Sequence, residues 1–299
     1  MTDNEYLKKI LDAQTLKEGS TELEDLRKHR DDVDGLLRKK FSSPMIRYGG
    51  SKAKGTMIKE GYDLDVICYF ENDDTSAGET LKDIYTNVRA ALADDYFIEE
   101  KPSALRLKGC DKSNPDFHVD VVPGRFTDDE KQDAFLYRSS GEKGRQKTNL
   151  QKHIDHVNDS DVHDAIRLMK LWRSRNAIAI RHFVLELMTI ERLKGKSGKP
   201  LTDQVVHVWT ELRDNIDEIV IEDPANPTGN DLSELFDDAI RSALKTIAAD
   251  TLADIDARGW ESVFGPVEES TAEVKRDTLR QAPSIVVGAT KPWVSREDG

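Results

Sequence analysis

Two aspartates, Asp63 and Asp65, stand at the start of an apolar run, Leu64 to Phe70, and eleven residues separate them from a glycine–serine turn, Gly49-Gly50-Ser51. A third aspartate, Asp120, lies in a second apolar run, Phe117 to Val122. Side chains alternate faces along a strand, so Asp63 and Asp65 share one face while Leu64, Val66, Cys68 and Phe70 take the other. By the same alternation Asp116, His118 and Asp120 oppose Phe117, Val119 and Val121. If the two strands are neighbours, three carboxylates crowd one sheet face and repel one another unless a cation neutralises them. Magnesium takes oxygen ligands and often phosphate oxygens as well. Glycines let a backbone approach a ligand closely, and a serine capping the next helix leaves free N–H groups that favour an anion. Turn and aspartates together point to two-metal chemistry on a nucleoside triphosphate.

The competing readings are ordinary ones. An acidic chain produces Asp-x-Asp by chance, and Asp32/Asp34, Asp159/Asp161 and Asp254/Asp256 are further cases. Those three fall in helical or polar context and read as solvated faces. The first pair differs because a turn precedes it, a strand carries it and Asp120 follows. Lys52, Lys54 and Lys59 flank the turn and each reads as part of a solvated lysine face, with contact of at least one of them to phosphate as the alternative.

The elements that must hold these residues are legible from periodicity. Residues 4 to 41 read as helical, broken at Gly19-Ser20, with Thr21 and Glu24 at capping-box spacing for a second helix. A short strand over 44–48 enters the turn. A helix covers about 80–94, a strand pair covers 96–100 and 104–108, and the Asp120 strand stops at Pro123-Gly124. Helices dominate after about 150, marked by Ile166, Met169 and Trp172, by Val184 to Met188, and by Leu201 to Leu212. Asp223 to Asn230 reads as a rigid turn before another helix. Trp209 and Trp260 read as packing residues.

With 299 residues the chain suffices for two domains. Its 37% hydrophobic and 34% charged content reads as soluble and globular rather than disordered. No run is long enough for a membrane helix and no signal-peptide core opens the sequence, so the cytoplasm is the expected location. A net charge of −13 argues against broad affinity for nucleic-acid backbones. Two cysteines occur, Cys68 and Cys110. One disulfide is conceivable, but two reduced, buried thiols are the expectation. No Cys/His set has zinc spacing, although His153, His156 and His163 lie close together in sequence.

Gly50-Ser51, Asp63-Leu64-Asp65 and Asp120 resemble the signature of the polymerase-beta-like nucleotidyltransferase superfamily, over roughly residues 40 to 125. A narrower resemblance, to the bacterial cGAS/DncV-like nucleotidyltransferases, extends over most of the chain. Gln146-Lys147-Thr148-Asn149 with His153 looks like that group's crossover into a helical lobe. Leu168-Met169-Lys170-Leu171-Trp172 resembles its helix bearing a triphosphate-contacting lysine. His182-Phe183-Val184-Leu185-Glu186-Leu187 resembles the following helix, with His182 where the group has a serine. Ile221 to Pro227 resembles a late turn of oligoadenylate-synthase-like members.

The resemblance implies a bilobal α/β (α+β) enzyme. Its catalytic core, with mixed sheet and N-terminal helices, would span 1–150, its helical lobe 151–265 and a mobile extension 266–299. It implies Asp63, Asp65 and Asp120 as catalytic and metal-holding residues, with Mg2+, or Mn2+ in its place. Gly50, Ser51, Lys170, His182 and Phe183 are the implied nucleotide-binding residues. For Lys170 the alternative is a lysine reaching out from a helix edge, and for Phe183 it is core packing rather than base stacking. ATP and other nucleoside triphosphates are the implied substrates, and a cyclic or short linear second messenger of anti-phage defence the implied product. The alternatives are transfer of a nucleotide to RNA, a protein or a small molecule, or a catalytically dead scaffold. No duplex-DNA activator is expected, since a zinc insertion and a basic surface are lacking. A monomer is expected in isolation, with operon partner proteins binding the C-terminal tail that ends at Gly299.

Overall fold

Capping sets the N-terminal boundaries of the first elements. Thr2 and Glu5 form a reciprocal capping box at the start of α1 (Asp3–Ala13). For α2 (Thr21–Lys40) the cap is Ser20, whose hydroxyl accepts from the Leu23 N–H. The capping-box reading of Thr21 and Glu24 was thus one residue late, because Ser20 already satisfies the N3 amide. Glu22 and Glu24 at the start of α2 and Arg38, Lys39 and Lys40 at its end complement the helix dipole. The computed structural model describes residues 1–61, 64–108, 118–140, 144–226, 232 and 235–267. Asp63, Cys110, Asp116, Phe117, Pro227 to Asn230 and the tail from 268 onward lie outside the described residues, and so do the expectations placed on them.

Among the described residues a seven-stranded mixed sheet forms the centre of the N-terminal lobe. It comprises β1 (Met45–Tyr48), β2 (Leu64–Phe70), β3 (Phe97–Glu100), β4 (Leu105–Lys108), β5 (His118–Phe126), β6 (Ala134–Tyr137) and β7 (Arg145–Thr148). The main order is β1-β2-β5-β4-β3, with β6 pairing β5 and β7 pairing β6. β2 and β5 run parallel, and their connection carries α4 (Leu81–Leu92), capped by Thr80 and Asp83. The expected alternation holds: Leu64, Val66, Cys68 and Phe70 join Val119 and Val121 in a core closed by α2 and α4. Cys68 is a buried thiol that desolvation pushes up to about 12, so it stays protonated and inert.

One expectation fails here. β5 does not stop at Pro123-Gly124 but continues to Phe126. β4 leaves its flank at the Leu105–Val121 pair and β6 takes over at Gly124–Leu136. Pro123 sits at that handover, where its missing N–H removes no ladder bond on that side. β6 and β7 are four-residue strands, too short for a periodic signal, and β7 falls on the stretch that resembles a crossover.

The second half of the chain folds as α5 (Leu150–Asn158), α6 (His163–Arg175), α7 (His182–Arg192), α8 (Leu201–Asp214), α9 (Asp238–Arg258) and α10 (Glu261–Phe264). Their apolar faces meet in a separate core that contains Trp172, Trp209, Trp260 and Phe264. The packing roles read for Trp209 and Trp260 are what the structure shows. Tyr6, Leu7, Ile10 and Leu11 of α1 belong to this helical core, although the sheet lobe follows α1 in sequence. No helix among the described residues is long and apolar enough to cross a membrane.

Candidate active site

Asp65 and Asp120 are register partners on the parallel strands β2 and β5. Their neighbours Leu64, Val66, Val119 and Val121 are buried on the opposite face, so both carboxylates stand on the face away from the main core. Further along β2 that face turns apolar, where Ile67 and Tyr69 pack against Phe126, Ala134 and Leu136. The acidic end of the sheet is therefore confined to a short stretch at the start of β2. Asp63 lies outside the described residues. Among those described, no group of three or more His, Cys, Asp or Glu side chains has the arrangement of a metal centre.

The glycine turn meets this acidic end directly. The Gly49 N–H donates to the Asp65 carbonyl at 3.0 Å. Gly50 has φ +67°, and a Cβ there would lie 1.7 Å from Asp65 Oδ2. Only glycine fits both the backbone and the space. Ser51 is not the cap of the short helix α3 (Gly50–Ala53), as its sequence position suggested. Gly49 holds the cap position and Ser51 is the second helical residue. Its Oγ is buried and has no hydrogen-bond partner among the described residues. A buried hydroxyl without a partner is uncommon, and this one can donate to an oxyanion at the turn. Gly50→Ala should force Asp65 aside and strain the turn. The thermal midpoint is expected to fall by a few degrees, which thermal melts check.

Behind the turn lies a buried polar node that sequence reasoning missed. Glu186 of α7 is 2% exposed. Its Oε2 accepts from Lys54 Nζ at 2.8 Å, and its Oε1 accepts from Thr56 Oγ1 at 2.8 Å and pairs with Lys170 Nζ at 2.5 Å. Lys170 Nζ also donates to Thr56 Oγ1 at 2.8 Å. Thr56 in turn donates its N–H to the Ser51 carbonyl at 2.9 Å, and Lys54 donates its own to the Gly50 carbonyl. Two ammonium groups share one carboxylate. Burial alone pushes the Glu186 carboxyl up, but Lys170 and Lys54 hold it well below the ordinary carboxylate range. Lys170 is 2% exposed, so it does not reach out from a helix edge, and Lys54 is not part of a solvated lysine face. Lys52 is the exposed member of that group, and the half-buried Lys59 pairs with Glu22. The available signal was a charge inside each of two apolar helical runs, Lys170 in α6 and Glu186 in α7.

His182 and Phe183 stand at the start of α7. Arg173 Nη1 lies 2.9 Å from His182 Nε2, and burial followed by the Arg173 charge pushes the imidazole down to about 3. His182 is thus a neutral ring that accepts from Arg173, not a cation for a phosphate. The half-buried Phe183 ring lies 5.3 Å from Lys54 Nζ and 4.9 Å from the His153 ring. His153 in turn bonds the fully buried Asp223 at 2.7 Å, tying α5 to the turn after α8. Arg106 of β4 is the other residue that sequence reasoning passed over. It forks onto Asp120, with Nε to Oδ1 at 2.8 Å and Nη2 to Oδ2 at 2.7 Å. Its signal was its place between Leu105 and Leu107, which turn to the core and leave Arg106 on the acidic face.

The fold is thus a mixed sheet, with a glycine turn set against paired strand carboxylates, joined to a helical lobe. No protein-family model and no curated protein sequence matches the chain. Solved structures do. Escherichia coli MS115-1 CdnC, in its complex with HORMA-deltaN, superposes with a TM-score of 0.67 at 19% identity over 89% of this chain and 98% of that one. The Bradyrhizobium diazoefficiens CD-NTase CdnG, in complex with GTP, gives 0.66 at 13% identity over 94% and 98%. Vibrio cholerae DncV, a cyclic AMP-GMP synthase and prokaryotic cGAS homolog, gives 0.60 at 17% identity over 76% and 71%. The chain has the fold of the CD-NTases.

Proposed function

We propose that the protein is a nucleotidyltransferase that joins nucleoside triphosphates into a cyclic or short linear oligonucleotide second messenger serving anti-phage defence. The observation that carries this reading is the Asp65–Asp120 register beside the Gly50 turn, inside a fold shared with cyclic-nucleotide synthases. The residues present fit a divalent cation: two strand carboxylates adjoin, with a turn so close that a Cβ would collide with one of them. Asp65 and Asp120, joined by Asp63, would hold magnesium, or manganese in its place. When bound, such a cation supplies charge neutralisation and a lowered pKa for an attacking hydroxyl.

The chain's own residues do the rest. Ser51 Oγ and the amides of the turn bind phosphate oxygens. Lys170 and Lys54 stabilise that anionic end through the node, as charge held behind the turn rather than as exposed contacts. Asp65 and Asp120 orient the reacting ends in line, so positioning and preorganised charge carry the catalysis. Phe183 closes one side of the region on Lys54 and His153.

Incubation with labelled ATP, GTP, CTP and UTP, with no acceptor added, tests this reading. Phosphatase-resistant products whose masses match two or three linked nucleotides are expected. Label transferred only when RNA, protein or a small-molecule acceptor is supplied would replace the messenger reading with acceptor modification.

A further inference from the structure

Asp120 is a proposed cation ligand, yet both of its oxygens already receive hydrogen bonds from one guanidinium. Arg106 is its register partner on β4, as Asp65 is on β2. Asp120 therefore stands between a carboxylate on one side and an arginine on the other. The pair is partly sheltered, with side-chain exposures of 29% for Arg106 and 15% for Asp120. A bidentate fork fixes the plane of the carboxylate and is among the stronger polar contacts. It also offsets the repulsion between Asp65 and Asp120 within the protein alone. The same fixed positive charge opposes a dication brought to the same oxygens.

We propose that Arg106 is a positioning residue that holds Asp120 toward Asp65 and makes cation binding there conditional on an anionic ligand. This rests on the reading of Asp65 and Asp120 as cation ligands. With no triphosphate bound, the guanidinium keeps affinity for a lone dication low. A triphosphate supplies the negative charge that outweighs Arg106, so cation and nucleotide bind together rather than in succession. The alternative is a plain salt bridge whose loss loosens Asp120 and weakens cation binding. The two differ in sign, which makes them separable.

Mn2+ binding to the full chain, followed by electron paramagnetic resonance without nucleotide, is the test. R106Q, with R106M as a second neutral variant, is expected to bind Mn2+ about tenfold tighter or more than the parent, given unit charges a few ångströms apart. R106K keeps the charge and should stay near the parent. A non-hydrolysable triphosphate analogue should tighten Mn2+ binding more in the parent than in R106Q. Circular dichroism establishes that each variant folds. Equal or weaker Mn2+ binding by the folded neutral variants overturns the proposal alone, provided that Asp120→Asn still weakens it. Tighter binding that survives in an R106Q/D120N double variant overturns both the proposal and the cation reading beneath it.

Discussion

Asp65→Asn is expected to lower nucleotide incorporation by about 10³-fold or more while the chain stays folded. A cation held by carboxylates supplies several kcal/mol of charge stabilisation, and each 1.36 kcal/mol is a factor of ten in rate. Asparagine keeps the shape that Gly50 packs against and removes only the charge. Asp120→Asn should cost a similar factor in rate. It also leaves Arg106 without its carboxylate, but that guanidinium is partly exposed and water can replace the partner. Thermal midpoints within a few degrees of the parent would separate lost chemistry from lost structure. Parental incorporation by either variant would remove the metal assignment. A quenched-flow burst measured with saturating triphosphate would show the loss in the chemical step rather than in product release.

The sequence made Asp65 legible for a physical reason: period-2 alternation is local, and Leu64, Val66, Cys68 and Phe70 declare their face without knowledge of any other strand. That Asp120 lies alongside was conditional on β2 and β5 pairing, which alternation alone cannot specify. The Pro123-Gly124 stop failed because proline's effect depends on what flanks it, and the β4-to-β6 handover is a tertiary fact. Glu186 and Lys170 carried a local signal, charge within apolar runs, but not its resolution. Their partners Lys54 and Thr56 sit more than a hundred residues away in sequence. The resemblance assigned Lys170 to phosphate and was silent on the carboxylate that holds it. Arg106 was hidden for a related reason. An arginine alternating with leucines on a short strand is ordinary until the strand across from it is known.

Glu186→Ala is the second large effect, and it falls on stability first. Removing the carboxylate takes from two buried ammonium groups the counter-ion they share, and breaking a buried pair in this way costs about 3–5 kcal/mol. For a chain of this size that corresponds to roughly 6–20 °C in thermal midpoint. Glu186→Gln retains an acceptor for Thr56 and should lose less. The pH dependence has a definite sign. The folded carboxyl titrates at about 2 against an ordinary 4.5. The unfolded chain therefore takes up the proton first as pH falls. The stabilisation by Glu186 is full above about pH 4.5 and is lost progressively between there and about pH 2. The gap in thermal midpoint between parent and Glu186→Gln should be constant from pH 6 to 8 and close on acidification. A gap that widens toward low pH would mean that the lysines do not hold Glu186 ionised. An apolar replacement of the whole node, Lys54→Met with Lys170→Met and Glu186→Leu, separates its two roles. Buried ion pairs exchanged for well-packed apolar groups often leave stability unchanged or raised. Such a variant should regain much of the lost midpoint, yet it lacks both ammonium groups behind the Gly50–Ser51 turn. Its KM for triphosphate should rise while the fold is intact, and full recovery of both would reduce the node to a structural strut.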